Sequence, residues 1–276
     1  MFALHVLRDM HHRLVPFFLL VAGMAVAELV APLLFKTCAD DEHNVAECRR
    51  QALQEVIPLL ATGIPEIGAP PIDPADQLAP LTWHTSSTGL DITFRLDNGR
   101  FSGLGSAVVD SLQVDSFSKR IHIVAHRDGI YTLEGAYTLA GHVLGIPLKG
   151  TGIFKSVMGG GAVDVTYSGH LESGLGGRSY LKLDTVQVAL ALGRSQYELT
   201  GLFGDYQPLV LAGNMFINNV AANVVEPNLK PTLEKWLAEV FRHYAQAVFD
   251  TVPYDELFPK TPAYRGFYRA VFPHNF

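Results

Sequence analysis

Histidines and carboxylates are the groups in this chain that could bind a metal or move a proton. The nearest approach to a pattern is Ile121-His122-Ile123-Val124-Ala125-His126. On a strand, His122 and His126 share a face but stand about 13 Å apart, too far for one ion. They alternate with Ile121, Ile123 and Ala125, which assigns them to the solvated side. His142 and His170 fall near predicted turns. Asp110, Asp115 and Asp164 are candidates for the paired carboxylates of a glycosidase, yet no spacing brings two of them together. Gly103-Leu104-Gly105-Ser106-Ala107 lacks the last glycine of a nucleophile elbow. There is no H-E-x-x-H and no phosphate-binding loop, and Gly150-Thr151-Gly152 leads into a strand-like stretch without a third glycine. No catalytic residue and no cofactor are therefore predicted. Cys38 and Cys48 read as one disulfide in an oxidising compartment. The alternative, a metal site using His43 between them, lacks a fourth ligand.

Composition narrows the classes further. Of 276 residues, 48% are apolar and 17% charged, which predicts a large core and argues against disorder. The net charge is −6 and the body has no basic stripe, so nucleic acid is an unsuitable partner. Arg8, His11, His12 and Arg13 precede an apolar run at 14–27 that ends Ala25-Val26-Ala27. This is the form of a secretory signal peptide, 1–27, with the mature chain starting near Glu28. The competing reading is a membrane anchor, but fourteen apolar residues fall short of the roughly 20 that span a bilayer. No second segment is long enough, so stable membrane insertion is not expected, and the product should be secreted and extracellular. Removal of Arg8, Arg13 and Asp9 leaves 19 basic (21 − 2) and 26 acidic (27 − 1) residues, net −7.

The elements that must position any site follow from periodicity. Leu229, Leu233, Trp236, Leu237, Val240, Phe241, Tyr244 and Val248 recur at steps of three and four. They fall within an arc of roughly 140° and predict a helix over 229–250, about 33 Å long. Asn228 is its expected N-cap, and Pro227 and Pro231 allow either a fresh start or a kinked continuation of a shorter helix at 211–225. A first helix is expected at 44–61, followed by a proline-rich strap at 63–80. From about Gly89 to Gly204 the period becomes two. Strands are expected at 90–96, 105–117, 120–126, 129–139, 150–158, 162–171, 180–192 and 196–203, with turns at Asp97-Asn98-Gly99, 126–129, 159–161 and 174–177. Short connections imply an antiparallel sheet. One face carries Tyr131, Leu133, Tyr137, Phe154, Val165 and Tyr167, and the other Thr132, Glu134, Asp164, Thr166, Lys182 and Asp184. A one-sided sheet and a broad-faced helix must cover each other. The space between them is either plain core or a lined tunnel. Residues 260–276 form an aromatic C-terminal extension to a single domain at 28–259.

Several motifs occur in order and resemble those of the insect takeout and haemolymph juvenile-hormone-binding proteins. They are the cysteine pair; Gly63-Ile64-Pro65-Glu66-Ile67-Gly68 with Pro70-Pro71-Ile72-Asp73-Pro74; Gly135-x-Tyr137 with Leu144-Gly145-Ile146-Pro147-Leu148; and Leu229-Lys230-Pro231 leading to Val252-Pro253-Tyr254-Asp255-Glu256-Leu257-Phe258-Pro259. The resemblance covers roughly Pro32 to Pro259. It implies an α+β fold in which a strongly curved antiparallel sheet wraps a long C-terminal helix and encloses an apolar tunnel. It also implies carriage of a small elongated hydrophobic ligand: juvenile hormone, another terpenoid or a fatty acyl compound. On that reading the lining residues are Tyr131, Leu133, Tyr137, Phe154, Val165, Tyr167, Trp236, Val240, Phe241 and Tyr244. A second reading is an extracellular interaction protein that acts through its surface, with the tunnel filled and a receptor as partner.

Overall fold

The structure is a computed structural model that describes residues 36–76, 78–204 and 206–260. The expected signal peptide and the aromatic extension beyond Lys260 lie outside the described residues. Helix α1 spans Val45–Thr62, and the seven strands are β1 (Leu81–Ser87), β2 (Leu90–Ser102), β3 (Val108–Asp115), β4 (Arg120–Val143), β5 (Ile146–Ser173), β6 (Ser179–Leu192) and β7 (Ser195–Leu199). Three helices close the described chain: α2 (Gln207–Val220), α3 (Glu226–Thr251) and the short α4 (Tyr254–Leu257). Among the described residues no single helix is long and apolar enough to cross a membrane.

β4 and β5 contain 24 and 28 residues. Each merges two of the expected strands. The stretches at 126–129 and 159–161 are therefore not turns but a bulge, where the β4–β5 register shifts between Arg127 and Ile130. Asp97-Asn98-Gly99 is likewise a bulge within β2. Turn residues fit both roles, because a bulge also needs residues that tolerate local kinking. The reversal joining β4 to β5 is made by Leu144 and Gly145, both at positive φ. β1 lies outside the strands expected from periodicity, which begin at residue 90.

Strands this long must coil, and they share their flanks among several neighbours. The second half of β4 pairs with β2, and its first half with β3. β5 pairs with β7 over 154–158 and with β6 over 161–173. The sheet is thus two joined halves, one carrying β1, β2 and β7, the other β3 and β6. At the junction the chain crosses closely: a Cβ on Gly193 would stand 2.5 Å from the Gly159 carbonyl oxygen, and one on Gly160 2.8 Å from that of Arg127. Only glycine allows that approach.

Open strand edges invite pairing with other chains and are covered here by helices. Asn214 and Asn218 of α2 each accept from and donate to the β7 backbone, at Leu199 and Tyr197, with distances of 2.7–2.9 Å. From α3, Glu234 accepts from Leu190 N, Arg242 donates to the Leu183 carbonyl, and Gln246 bonds both Leu183 N and the Leu181 carbonyl. On its other flank α3 meets the strap, which is itself held by Asp73 accepting from Gly103 N and Gly105 N and by Ala75 paired with Phe101. The helix begins at Glu226, so Asn228 is not its N-cap. A π-helical turn at 221–225 joins it to α2 through a 50° bend, and the Asn228 amide donates back to the Val224 carbonyl. The continuation is kinked rather than fresh: Pro227 and Pro231 lack the N–H that a straight helix would bond to the preceding turn, and the π-helical turn takes up the bend.

Candidate functional site

Two cavities of about 440 and 350 Å³ lie between the sheet and α3, with a space of about 30 Å³ between them. The larger two fall within the size range of small-molecule sites, roughly 300–1,000 Å³. The larger sits under the β1–β2–β7 half, against Trp83, Phe94, Phe154 and Ile217. The smaller sits under the β3–β6 half and is roofed by α1 through Leu53, Val56 and Leu60. The narrow space is a waist: it shares Leu133, Met158, Leu190 and Leu233 with the first cavity and Leu104, Val163 and Phe241 with the second.

α3 is the spine of all three. Leu229 and Leu233 face the larger cavity, Leu233, Leu237 and Phe241 the waist, and Phe241, Tyr244, Ala245, Val248 and Phe249 the smaller cavity. Steps of three and four therefore lay one stripe along the whole apolar path.

Seven of the ten residues expected to line a tunnel stand on these walls. Leu133 and Phe154 line the larger cavity, Tyr131, Leu133 and Phe241 the waist, and Val165, Tyr167, Phe241 and Tyr244 the smaller cavity. Tyr137, Trp236 and Val240 are instead packed core. Tyr137 is in phase with its neighbours, but Gly150, two residues from its register partner Gly152, has no side chain to block the Tyr137 hydroxyl, which a Cβ there would meet at 2.6 Å. Its hydroxyl reaches past Gly150 to the Thr200 carbonyl at 2.8 Å, and burial pushes its pKa up to about 12. Trp236 lies at the margin of the helix's apolar arc and meets the strap, donating to the Ala79 carbonyl at 2.8 Å. Burial likewise raises the phenol of Tyr167.

The larger cavity has one polar corner that sequence reasoning missed. It contains Ser156 and Ser195, Tyr197, Glu226 and Lys230. Ser156 is in phase with Phe154 and Met158, so a lone hydroxyl on an apolar face was the available signal. Tyr197 donates to Glu226 Oε1 at 2.9 Å, and burial foremost raises its pKa and keeps the phenol protonated.

The groups first considered for chemistry lie elsewhere, on the outer face. His122 pairs with Asp164 at 2.8 Å, His126 with Asp110 at 2.7 Å and His170 with Asp184 at 2.9 Å. Asp115 caps the turn at Phe117 and Ser118. No two of Asp110, Asp115 and Asp164 are joined. Thr166, expected outside, is buried. Cys38 and Cys48 form a disulfide, so the nearby Glu42 has no thiolates beside it with which to hold a metal.

Comparison with known proteins agrees with this architecture. The family model described as haemolymph juvenile hormone binding protein matches residues 17–259. A putative beta-carotene-binding protein of Schistocerca gregaria is 40% identical over 223 residues, covering 80% of this chain and 87% of the relative. The crystal structure of Epiphyas postvittana Takeout 1 superposes with a TM-score of 0.68 at 24% identity, covering 81% of this chain and 99% of that one. At that identity the likeness concerns the fold, a curled antiparallel sheet around a long C-terminal helix. With its family-specific motifs and a model match spanning nearly the whole chain, this protein belongs to the haemolymph juvenile hormone binding protein family.

Proposed function

We propose that this protein is a secreted, non-enzymatic carrier that holds one elongated hydrophobic molecule along the path between sheet and α3. The observation that carries the reading is the continuous stripe of α3 facing two large apolar cavities joined at a waist. A terpenoid, a fatty acyl compound or a carotenoid has the matching chemistry, the last being what the 40%-identical relative is named for. Burial contributes about 2.5 kcal/mol for each 100 Å² of apolar ligand surface, before the cost of immobilisation. The unit is one domain whose mature chain begins near Glu28, with 260–276 as an extension. The reading is tested by solvent extraction and mass spectrometry of natively purified protein, and by titration with a lipophilic fluorophore. Co-purified lipid and saturable one-to-one binding are expected. Absence of both returns the interior to plain core and leaves surface interaction as the function.

A further inference from the structure

The larger cavity contains a buried hydroxyl left unpaired among the described residues. Ser156 is 3% exposed, and its Oγ has no hydrogen-bond partner among the described residues. Leaving a buried hydroxyl unpaired costs about 1–3 kcal/mol, whereas alanine would fill the same place on the wall without that cost. Ser156 faces Tyr197 directly across the β5–β7 pair, and both line the cavity with Glu226. The rest of the wall is overwhelmingly aliphatic and aromatic.

We propose that this corner recognises the alcohol end of an otherwise apolar ligand, an inference that rests on the carrier reading above. The donor inventory selects the group. The Ser156 hydroxyl offers one proton and two lone pairs. The Tyr197 proton is engaged by Glu226 and its oxygen also takes a hydrogen bond from Ser195, which leaves the carboxylate as the freer acceptor. A ligand hydroxyl satisfies both sides, accepting from Ser156 and donating to Tyr197 or Glu226. A hydrocarbon leaves Ser156 unpaired. A carboxylate brings a second negative charge toward Glu226; Lys230, the one cation on the wall among the described residues, lies 3.8 Å from Glu234 and is largely exposed. The smaller cavity takes the apolar remainder or stands as a second apolar chamber.

The test uses the mature protein and three competitors of equal chain length, hexadecanol, hexadecanoate and hexadecane, displacing a lipophilic naphthylamine fluorophore at pH 7. Hexadecanol is expected to bind about tenfold more tightly than hexadecane, the equivalent of one buried hydrogen bond. Ser156→Ala should erase that advantage and leave hexadecane unchanged, while its thermal midpoint stays level or rises. Tyr197→Phe, which keeps the ring, should reduce the advantage in part. Equal affinity for alcohol and hydrocarbon, or an alcohol preference that survives Ser156→Ala, overturns the inference and leaves the carrier reading standing. Preference for hexadecanoate overturns it in favour of a carboxylate head. Failure of all three, and of the fluorophore, to bind saturably removes the carrier reading and this inference together.

Discussion

The indole N–H of Trp236 donates to the backbone carbonyl of Ala79 at 2.8 Å, across 157 residues of sequence. The bond ties the spine helix to the strap that ends just before β1. On the helix's other flank Glu234, Arg242 and Gln246 grip the β6 backbone. The helix is thus held from both sides, and its remaining face is left to the cavities.

Replacing Trp236 by Phe leaves the Ala79 carbonyl without its donor. A loss of about 1–3 kcal/mol is expected from urea unfolding. If stability is unchanged, the strap is not anchored through this contact.

The two tryptophans divide the reporting of ligand entry. Both are buried in the core, but Trp83 lines the larger cavity, whereas Trp236 lines none of the three spaces described above. Filling the larger cavity should shift the emission of Trp83. That shift is expected to vanish in Trp83→Phe and to persist in Trp236→Phe, in a fluorescence titration.

The waist should set how ligand length is read. Leu237 is 4% exposed and lines it. Leu237→Ala should cost about 2–5 kcal/mol by chemical denaturation, as a deleted core side chain does. It should also widen the passage, so that affinity rises more for long competitors than for short ones. An equal change for all lengths would mean the two cavities are used separately.

The close crossing at Gly193 should reject any side chain. Gly193→Ala places a carbon 2.5 Å from the Gly159 carbonyl oxygen, and that neighbour is backbone, which cannot swing aside. A destabilisation of about 1–3 kcal/mol is expected from urea unfolding.

The outer histidines should give a shallow pH dependence independent of ligand. The hydrogen bond that His126 donates to Asp110, and the one that His170 donates to Asp184, raise both imidazoles above the usual 6.5. Raised values stabilise the fold fully below pH 6.5, and the contribution is lost as pH rises through the folded values. The Arg50 hydrogen bond lowers Glu47 to about 2, so its contribution is present above 4.5 and lost as pH falls through about 2. An NMR titration should show His126 returning toward 6.5 in Asp110→Asn, with fluorophore affinity unchanged.

The sequence by itself determined the parts. Period-two alternation marked most strands and their inner faces, because a half-buried strand must alternate. Steps of three and four marked α3 and the stripe it turns inward. The ordered family motifs pointed to the fold. Tertiary structure decided what local pattern leaves degenerate. The stretches His126-Arg127-Asp128-Gly129 and Gly159-Gly160-Gly161 suit a turn and a bulge equally, and only the pairing of β4 with β5 selects the bulge. Tyr137 and Tyr131 share one alternation, yet the space over Gly150 makes one of them core while the other borders the waist. Ser156 was visible as a hydroxyl on an apolar face, but its meaning depends on Tyr197 and Glu226, which lie 41 and 70 residues away (197 − 156 and 226 − 156). Alternation reports which way a side chain points, not what waits for it there, and that is set only when distant strands and the helix close on the same space.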